Sequence, residues 1–329
     1  MHSPNSASAA SRGDRKAKLI GAGFDTSAYT TSFAVVSGGR VLLDKRLMLP
    51  VAQGSRGLRQ SEAVFAHIKN MSALFTDLEK NFGIDAVAYS EKPCPAEESY
   101  MPVFCVGASH AKAFANALGV GPLSLTHQHG HLYAAFFGND VPDGNYVAMH
   151  VSGGTLDLLD VLIDGGIVSC IEPLGGTLDI TCGQLIDRVG VAAGLPFPSG
   201  AHIEKLYRPG VKKLAVRVDG LQANLSGAET QALRRIESGE DAADVCSAVF
   251  DCVADTLSRL AANAVDVTGC GSMILSGGVI AGAVIRERLT KAAEIRGIRL
   301  VLTQREYCGD NACGLALAAE RQHHKGVLA

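Results

Sequence analysis

The stretch NYVAMHVSGGTLDLLDVLIDGGIVSCIEPLG, Asn145–Gly175, decides the fold. Its runs Asn145–Ser152, Thr155–Asp164 and Ile167–Gly175 are strand-length and rich in β-branched and aliphatic residues. Gly153-Gly154 and Gly165-Gly166 stand between them as turn signals, so the segment reads as three strands joined by hairpins. The same plan stands earlier in the chain, in Leu19–Ser27, Thr30–Ser37 and Arg40–Pro50, with Gly38 and Gly39 at the second turn. Each trio is followed by the same succession. In the first half a helix spans Ser61–Gly83, apolar at Val64, Ile68, Met71, Leu74, Phe75 and Leu78 and ended by Gly83. A strand at Asp85–Pro93, a helix at Cys105–Gly119 and a strand at Pro122–His127 complete it. In the second half helical stretches span Thr177–Gly194 and Ala243–Val267. A strand at Ser272–Val279, a helix at Ala281–Gly297, a strand at Ile298–Gln304 and a last helix from Asn311 follow. The expectation is a duplicated α/β chain of two lobes, 19–145 and 146–329, after a polar tail over 1–18 that lacks fixed structure.

Composition narrows the function classes. A chain of 329 residues that is 47% hydrophobic can bury one large core or two lobes. With 37 glycines and only 5% aromatics it favours tight turns over stacking platforms, which argues against a module for single-stranded nucleic acid. A net charge of -3 exerts no overall pull on nucleic acid or anionic membrane. The densest basic group, Lys205, Arg208, Lys212, Lys213 and Arg217, reads as a solvated face. Nine cysteines without paired spacing, in a chain lacking a secretory segment, point to reduced thiols and a cytoplasmic protein. No apolar run is long enough to cross a bilayer.

The duplicated plan is similar to that of the actin, sugar kinase and Hsp70 superfamily, in which two lobes grip a nucleotide. That likeness implies a cleft lined by three turns, GFDTSAYTT, HVSGGTLDL and LSGGVIAG. Gly153 and Gly154 let backbone N–H groups approach phosphate oxygens, and Ser152 and Thr155 add hydroxyls. Asp25, with Thr26 and Ser27 beside it, could hold a metal-bound water or a hydroxyl. Gly277 and Gly278 would let an adenine or ribose lie flat on the backbone. Taken singly, each glycine pair is only a hairpin.

A second signal is LTHQHGHLYAAFF, Leu125–Phe137, where a strand-like run turns helical. His127 and His131 stand four residues apart and so share one helical face, supplying half of a metal's coordination sphere. A third ligand must come from elsewhere; the alternative is a pair that caps or decorates an exposed helix. His129 points off that face and reads as a bystander. No HExxH is present, so a zinc-protease mechanism is unsupported.

From Leu19 to about Ala319 the chain resembles the tRNA threonylcarbamoyladenosine synthesis family, also called glycoproteases. THQHGHL resembles its His-x-x-Gly-His metal motif and HVSGGTLDL its nucleotide loop. GGTLDITCGQLIDRVGVAAGLPFPSG resembles its long signature, and LSGGVIAGAVIRERL and YCGDNACGLALAA its C-terminal segments. The resemblance implies transfer of a threonylcarbamoyl group from its adenylate to the exocyclic amine of adenosine 37 in tRNA, with ATP or an adenylate as ligand and tRNA reached through partner proteins. It also implies a divalent metal, iron or zinc, on His127, His131 and Asp310, and donor-binding positions at Ser152, Gly153, Gly154, Asp187, Gly200, Gly277 and Gly278. For Asp310, between a strand and a helix, capping is the alternative. For Asp187, which would hold ribose hydroxyls, it is surface solvation. Four departures bear on mechanism. Tyr29 and Thr30 stand where the family has an acidic pair, Thr155 replaces a His, Gly282 an Asn, and Ser199 a Gly. These are the changes of a paralogue with an altered acceptor or of a protein that binds nucleotide without turnover. Peptidase activity lacks a general base beside the metal.

Overall fold

The computed structural model describes residues 18–27, 29–50, 58–76 and 82–324; Leu78 and nearly all of the expected tail lie outside them. The first half builds β1 (Ile20–Thr26), β2 (Thr30–Ser37), β3 (Arg40–Met48), α1 (Gln60–Thr76), β4 (Ala86–Lys92), α2 (Phe104–Leu118), β5 (Pro122–Thr126) and α3 (His127–Ala134). The second builds β6 (Gly144–Val151), β7 (Leu156–Asp164), β8 (Ile167–Thr177), α4 (Cys182–Ala192), α5 (Gly200–Leu206), β9 (Arg217–Asp219), β10 (Gln222–Asn224) and α6 (Ser226–Glu237). It continues through α7 (Ala242–Thr268), β11 (Ser272–Ser276), a 3₁₀ turn at Gly278–Ala281, α8 (Ala283–Ile295), β12 (Arg299–Leu302), α9 (Arg305–Cys308) and α10 (Cys313–His324). The sheets run β3-β2-β1-β4-β5 and β12-β11-β6-β7-β8-β10-β9. In each, an antiparallel trio made by hairpins is extended through parallel strands delivered by helices, so the duplication is physical.

Two details differ from the sequence reading. The stretch from Thr177 is not helical at its start: Thr177 ends β8, and α4 begins at Cys182 under a capping box of Thr181 and Gln184. Asp179 makes the turn between them, accepting the N–H groups of Ile180, Leu225 and Ser226. Burial alone would raise its pKa, but those bonds outweigh it and hold it at about 2. The second half also carries α5, β9, β10 and α6, to which the sequence reading assigned nothing.

Strand alternation divides the second sheet. Val147, Met149, Val151, Leu156 and Leu158 face α4, α7 and α8, while Tyr146, Ala148, Leu159, Val161 and Ile274 face α3 and α10. The latter helices fill the seam between the two sheets, so α10, late in the chain, packs on β1 and β4 of the first half. It comes close because a Cβ at Gly314 would overlap the Gly130 carbonyl, and one at Gly21 or Gly23 the α10 backbone. Leu315 and Leu317 are buried there, each contributing about 1.5–3 kcal/mol. Among the described residues no helix is long and apolar enough to cross a membrane.

Candidate functional site

The site grows from the start of α3. Thr126 is extended, its Oγ1 accepts the His129 N–H, and His129 Nδ1 accepts the Thr126 hydroxyl at 2.7 Å and faces its N–H at 3.4 Å. This reciprocal cap starts the helix at His127 and sets His131 one turn later. His129, off the metal face as expected, is therefore the cap and no bystander. The two rings meet edge to face, with Nε2 atoms 3.0 Å apart. Asp310 Oδ1 lies 3.5 Å from each Nε2. It does not cap α10, because Asn311 Oδ1 accepts the Cys313 N–H instead. His131 is only 3% exposed, which disposes of a pair decorating a solvated helix.

Three donor atoms within 4.8 Å of one another fit one cation. Bond lengths of 2.0–2.2 Å place neighbouring donors about 3.0–3.5 Å apart, which is the spacing found. Two imidazoles and a carboxylate suit iron or zinc. The unpartnered atoms agree. Among the described residues, the buried side-chain atoms without a hydrogen-bond partner are Asp25 Oδ2, Gln128 Oε1, His131 Nδ1, both His150 nitrogens and Ser276 Oγ. Asp25, His150 and Ser276 lie at or near the ends of β1, β6 and β11, and Gln128 and His131 on α3. Such atoms are costly unless the site is completed.

Burial opposes charge on His127, but Asp25 and then Asp310 outweigh it and raise its pKa well above the ordinary value. Burial likewise opposes the Asp310 carboxylate, yet His127 and His131 hold it well below the usual range. His131 is lowered by burial and by the charge on His127. His150, its ring 4.2 Å from that of His131, is lowered furthest, by burial and then by both neighbouring histidines.

Asp25 and Ser27, expected to hold a metal-bound water, a hydroxyl or part of a nucleotide, contact the triad. Asp25 Oδ1 accepts from Ser90 Oγ at 2.5 Å and His127 Nδ1 at 3.0 Å, and Ser27 Oγ donates to Asp310 Oδ2 at 2.6 Å. His67 Nε2 lies 2.9 Å from the Ser27 carbonyl and ties that loop to α1. Tyr29 and Thr30 follow at the start of β2, and neither brings a carboxylate.

The glycine turns form a second group. Ser152 N donates to the Thr155 carbonyl, closing the β6–β7 turn, and Gly154 N to Ser152 Oγ. A Cβ at Gly153 or Gly154 meets no protein atom, so these backbones are open. Gly277 is different. Its φ is +98° and a Cβ there would overlap the Val151 carbonyl, so chain packing by itself requires glycine, while Gly278 is open. Thr181 Oγ1 donates to the Gly153 carbonyl, joining α4 to the turn. On α4, half-buried Asp187 accepts the Ser199 N–H at 2.7 Å; burial raises its pKa and that bond opposes the shift. One carboxylate oxygen thus remains for a ligand. Gly200 opens α5, whose Glu204 accepts the N–H groups of Ala283 and Val284 at the start of α8. A continuous ring of contacts therefore runs through Ser152, α4, Ser199, Glu204, α8 and Gly277. Sequence reasoning missed Glu204, His150, His67 and the Gln128–Asp157 bond of 2.6 Å. Only His150 carried a signal, being a polar residue at an inward position of an apolar strand just before the glycine turn.

Known proteins resemble this chain along most of its length. A family model described as tRNA N6-adenosine threonylcarbamoyltransferase matches residues 61–317. A protein of that name from Symbiobacterium thermophilum is 30% identical over 322 residues, 93% of this chain and 92% of its own. A probable bifunctional tRNA threonylcarbamoyladenosine biosynthesis protein from Thermoplasma acidophilum is 29% identical over 94% of this chain and 57% of its own. Among solved structures, full-length HypF in a phosphate- and nucleotide-bound form superposes with a TM-score of 0.58 at 13% identity, covering 94% of this chain and 55% of that one. A ROK family glucokinase from Streptomyces griseus gives 0.51 at 14%, covering 92% and 98%. These two likenesses show the actin and sugar-kinase type of fold.

Proposed function

This chain belongs to the tRNA N6-adenosine threonylcarbamoyltransferase family, and from that premise we propose that it is a metal-dependent threonylcarbamoyl transferase using threonylcarbamoyl-adenylate. The observation that carries the reading is the juxtaposition of the His127, His131 and Asp310 donors with the Ser152 turn: the strand that ends in this turn brings His150 against His131. The acceptor is the exocyclic amine of adenosine 37 in tRNA. Its nitrogen attacks the carbamoyl carbon, the bond from that carbon to the phosphate oxygen breaks, AMP leaves, and the amine loses a proton.

His127, His131 and Asp310 hold a divalent iron or zinc ion, which supplies Lewis-acid polarisation of donor oxygens. The open backbone at Gly153 and Gly154, with Ser152 and Thr155, receives the phosphate. Asp187 and Gly200 take the ribose, and the Gly278 backbone the adenine face. The halves 19–145 and 146–329 act as lobes around this site, and tRNA is presented with the help of partner proteins.

A second reading has one observation in its favour. Tyr29 and Thr30 carry no carboxylate, as in a protein that binds an adenylate and leaves it intact. Turnover separates the two. Losing a general base costs on the order of 10²–10⁴-fold, so slow consumption of threonylcarbamoyl-adenylate with tRNA is expected, quickened by Tyr29→Asp with Thr30→Glu. Tight adenylate binding with no turnover in either form, partner extracts supplied, would reverse the assignment.

A further inference from the structure

We propose that Asp25 is a positioning residue for the metal centre, holding the proton on His127 Nδ1 and supplying the second negative charge that a buried divalent ion requires. The inference rests on the metal reading above. Asp25 is completely buried near the end of β1, a costly place for a carboxylate unless its bonds are specific. They are. Ser90 Oγ and His127 Nδ1 both approach Oδ1, at 2.5 and 3.0 Å, and the Ser32 hydroxyl holds the Asp25 carbonyl at 3.2 Å. Thr26 Oγ1, next along the strand, donates to the Val103 carbonyl and accepts the Gly107 N–H, so the backbone is anchored as well.

An ionised carboxylate only accepts, so the hydrogen in this contact belongs to Nδ1. The other nitrogen, Nε2, is then the one aimed at His131 Nε2 and Asp310 Oδ1, with its lone pair available when the ring is neutral. The two histidines differ in this respect, since His131 Nδ1 has no partner. Ligating imidazoles generally need such an outer acceptor to fix ring and tautomer. Charge points the same way. Asp310 alone leaves a divalent ion with one uncompensated charge in a buried seam, and Asp25 removes it.

Cobalt(II) titration of the metal-stripped full chain against a competing chelator tests this, with His131→Ala as the control for binding at the triad. Asp25→Asn keeps the shape and one acceptor oxygen but not the charge. It and Asp25→Ala should bind about 10–100-fold more weakly while His131→Ala is also impaired. A purely structural role would not alter the imidazole N–H signals. In the zinc-loaded wild type the His127 N–H proton should lie downfield of the His131 one, a reading that requires no variant to fold. Wild-type affinity in both Asp25 variants, or the reverse order of the two proton shifts, overturns the proposal. A wild type that takes up no metal instead overturns the metal reading itself, and this inference with it.

Discussion

Replacing His129 by Gln tests how the site-bearing helix is held. The cap requires a neutral ring, because Nδ1 accepts from Thr126. Burial lowers the His129 pKa from 6.5 to about 4. The unfolded chain then takes up this proton at higher pH than the folded one. The stabilisation is accordingly complete above about pH 6.5 and is lost as pH falls through the window down to about 4. That gap corresponds to at most about 3.4 kcal/mol, of which about 2 kcal/mol falls between pH 7 and 5; partial exposure of the ring brings the expected loss to about 1–2 kcal/mol. Glutamine is an ordinary partner in a capping box and does not titrate. Urea unfolding of the metal-stripped chain, followed by circular dichroism, should find wild type and variant within about 0.5 kcal/mol at pH 7. At pH 5 the variant should be the more stable by about 1–2 kcal/mol. His131 and His150, also kept neutral by burial, act in both proteins and cancel in the difference. Equal acid loss in the two proteins would refute the argument, as would a large penalty for glutamine at pH 7.

Two further outcomes are expected. Gly153→Val should fold normally, because a Cβ at that position meets no protein atom, yet lose the rise in melting temperature that ATP or an adenylate gives the wild type. A normal response in the variant would put the phosphates elsewhere. His150→Leu removes a ring whose nitrogens are both buried without partners, so the metal-stripped variant should gain about 1–2 kcal/mol in urea unfolding. Destabilisation would mean that the ring has partners in solution.

The duplicated fold was legible because glycine pairs punctuate strand-length runs of β-branched and aliphatic residues, as expected of strands buried on both faces such as β1, β2 and β6. The segment carrying α5, β9, β10 and α6 was not, since three-residue strands and the seven-residue α5 leave no countable period, and α6 is mostly polar, its buried residues being Ala228, Ala232 and Arg235. His127 and His131 were readable as a pair because helical geometry brings i and i+4 together. Asp310 came only through family resemblance: Ser27, which holds it, is 283 residues away in sequence. The Asp25–His127 contact was not legible for the same reason, the two residues being 102 apart in sequence. His129 escaped notice because a capping box is ordinarily recognised by Glu or Gln at the third position, and only a neutral histidine can imitate them.

Connectivity explains how two sets of groups become one site. His127 and His131 sit on α3, Asp310 just precedes α10, and Gly130 lies against Gly314 where the two helices cross, so the donors belong to one packed unit with β1. The phosphate turn belongs to the other sheet. The end of β6 joins them: His150 has its ring against His131, and Ser152, two residues on, opens the turn. On the proposed reading, the distance from the triad to a phosphate at Gly153 would be set by three consecutive residues of β6 and its turn. That coupling is what a transfer needs when one end of the donor must be held by backbone N–H groups and the other polarised by an ion.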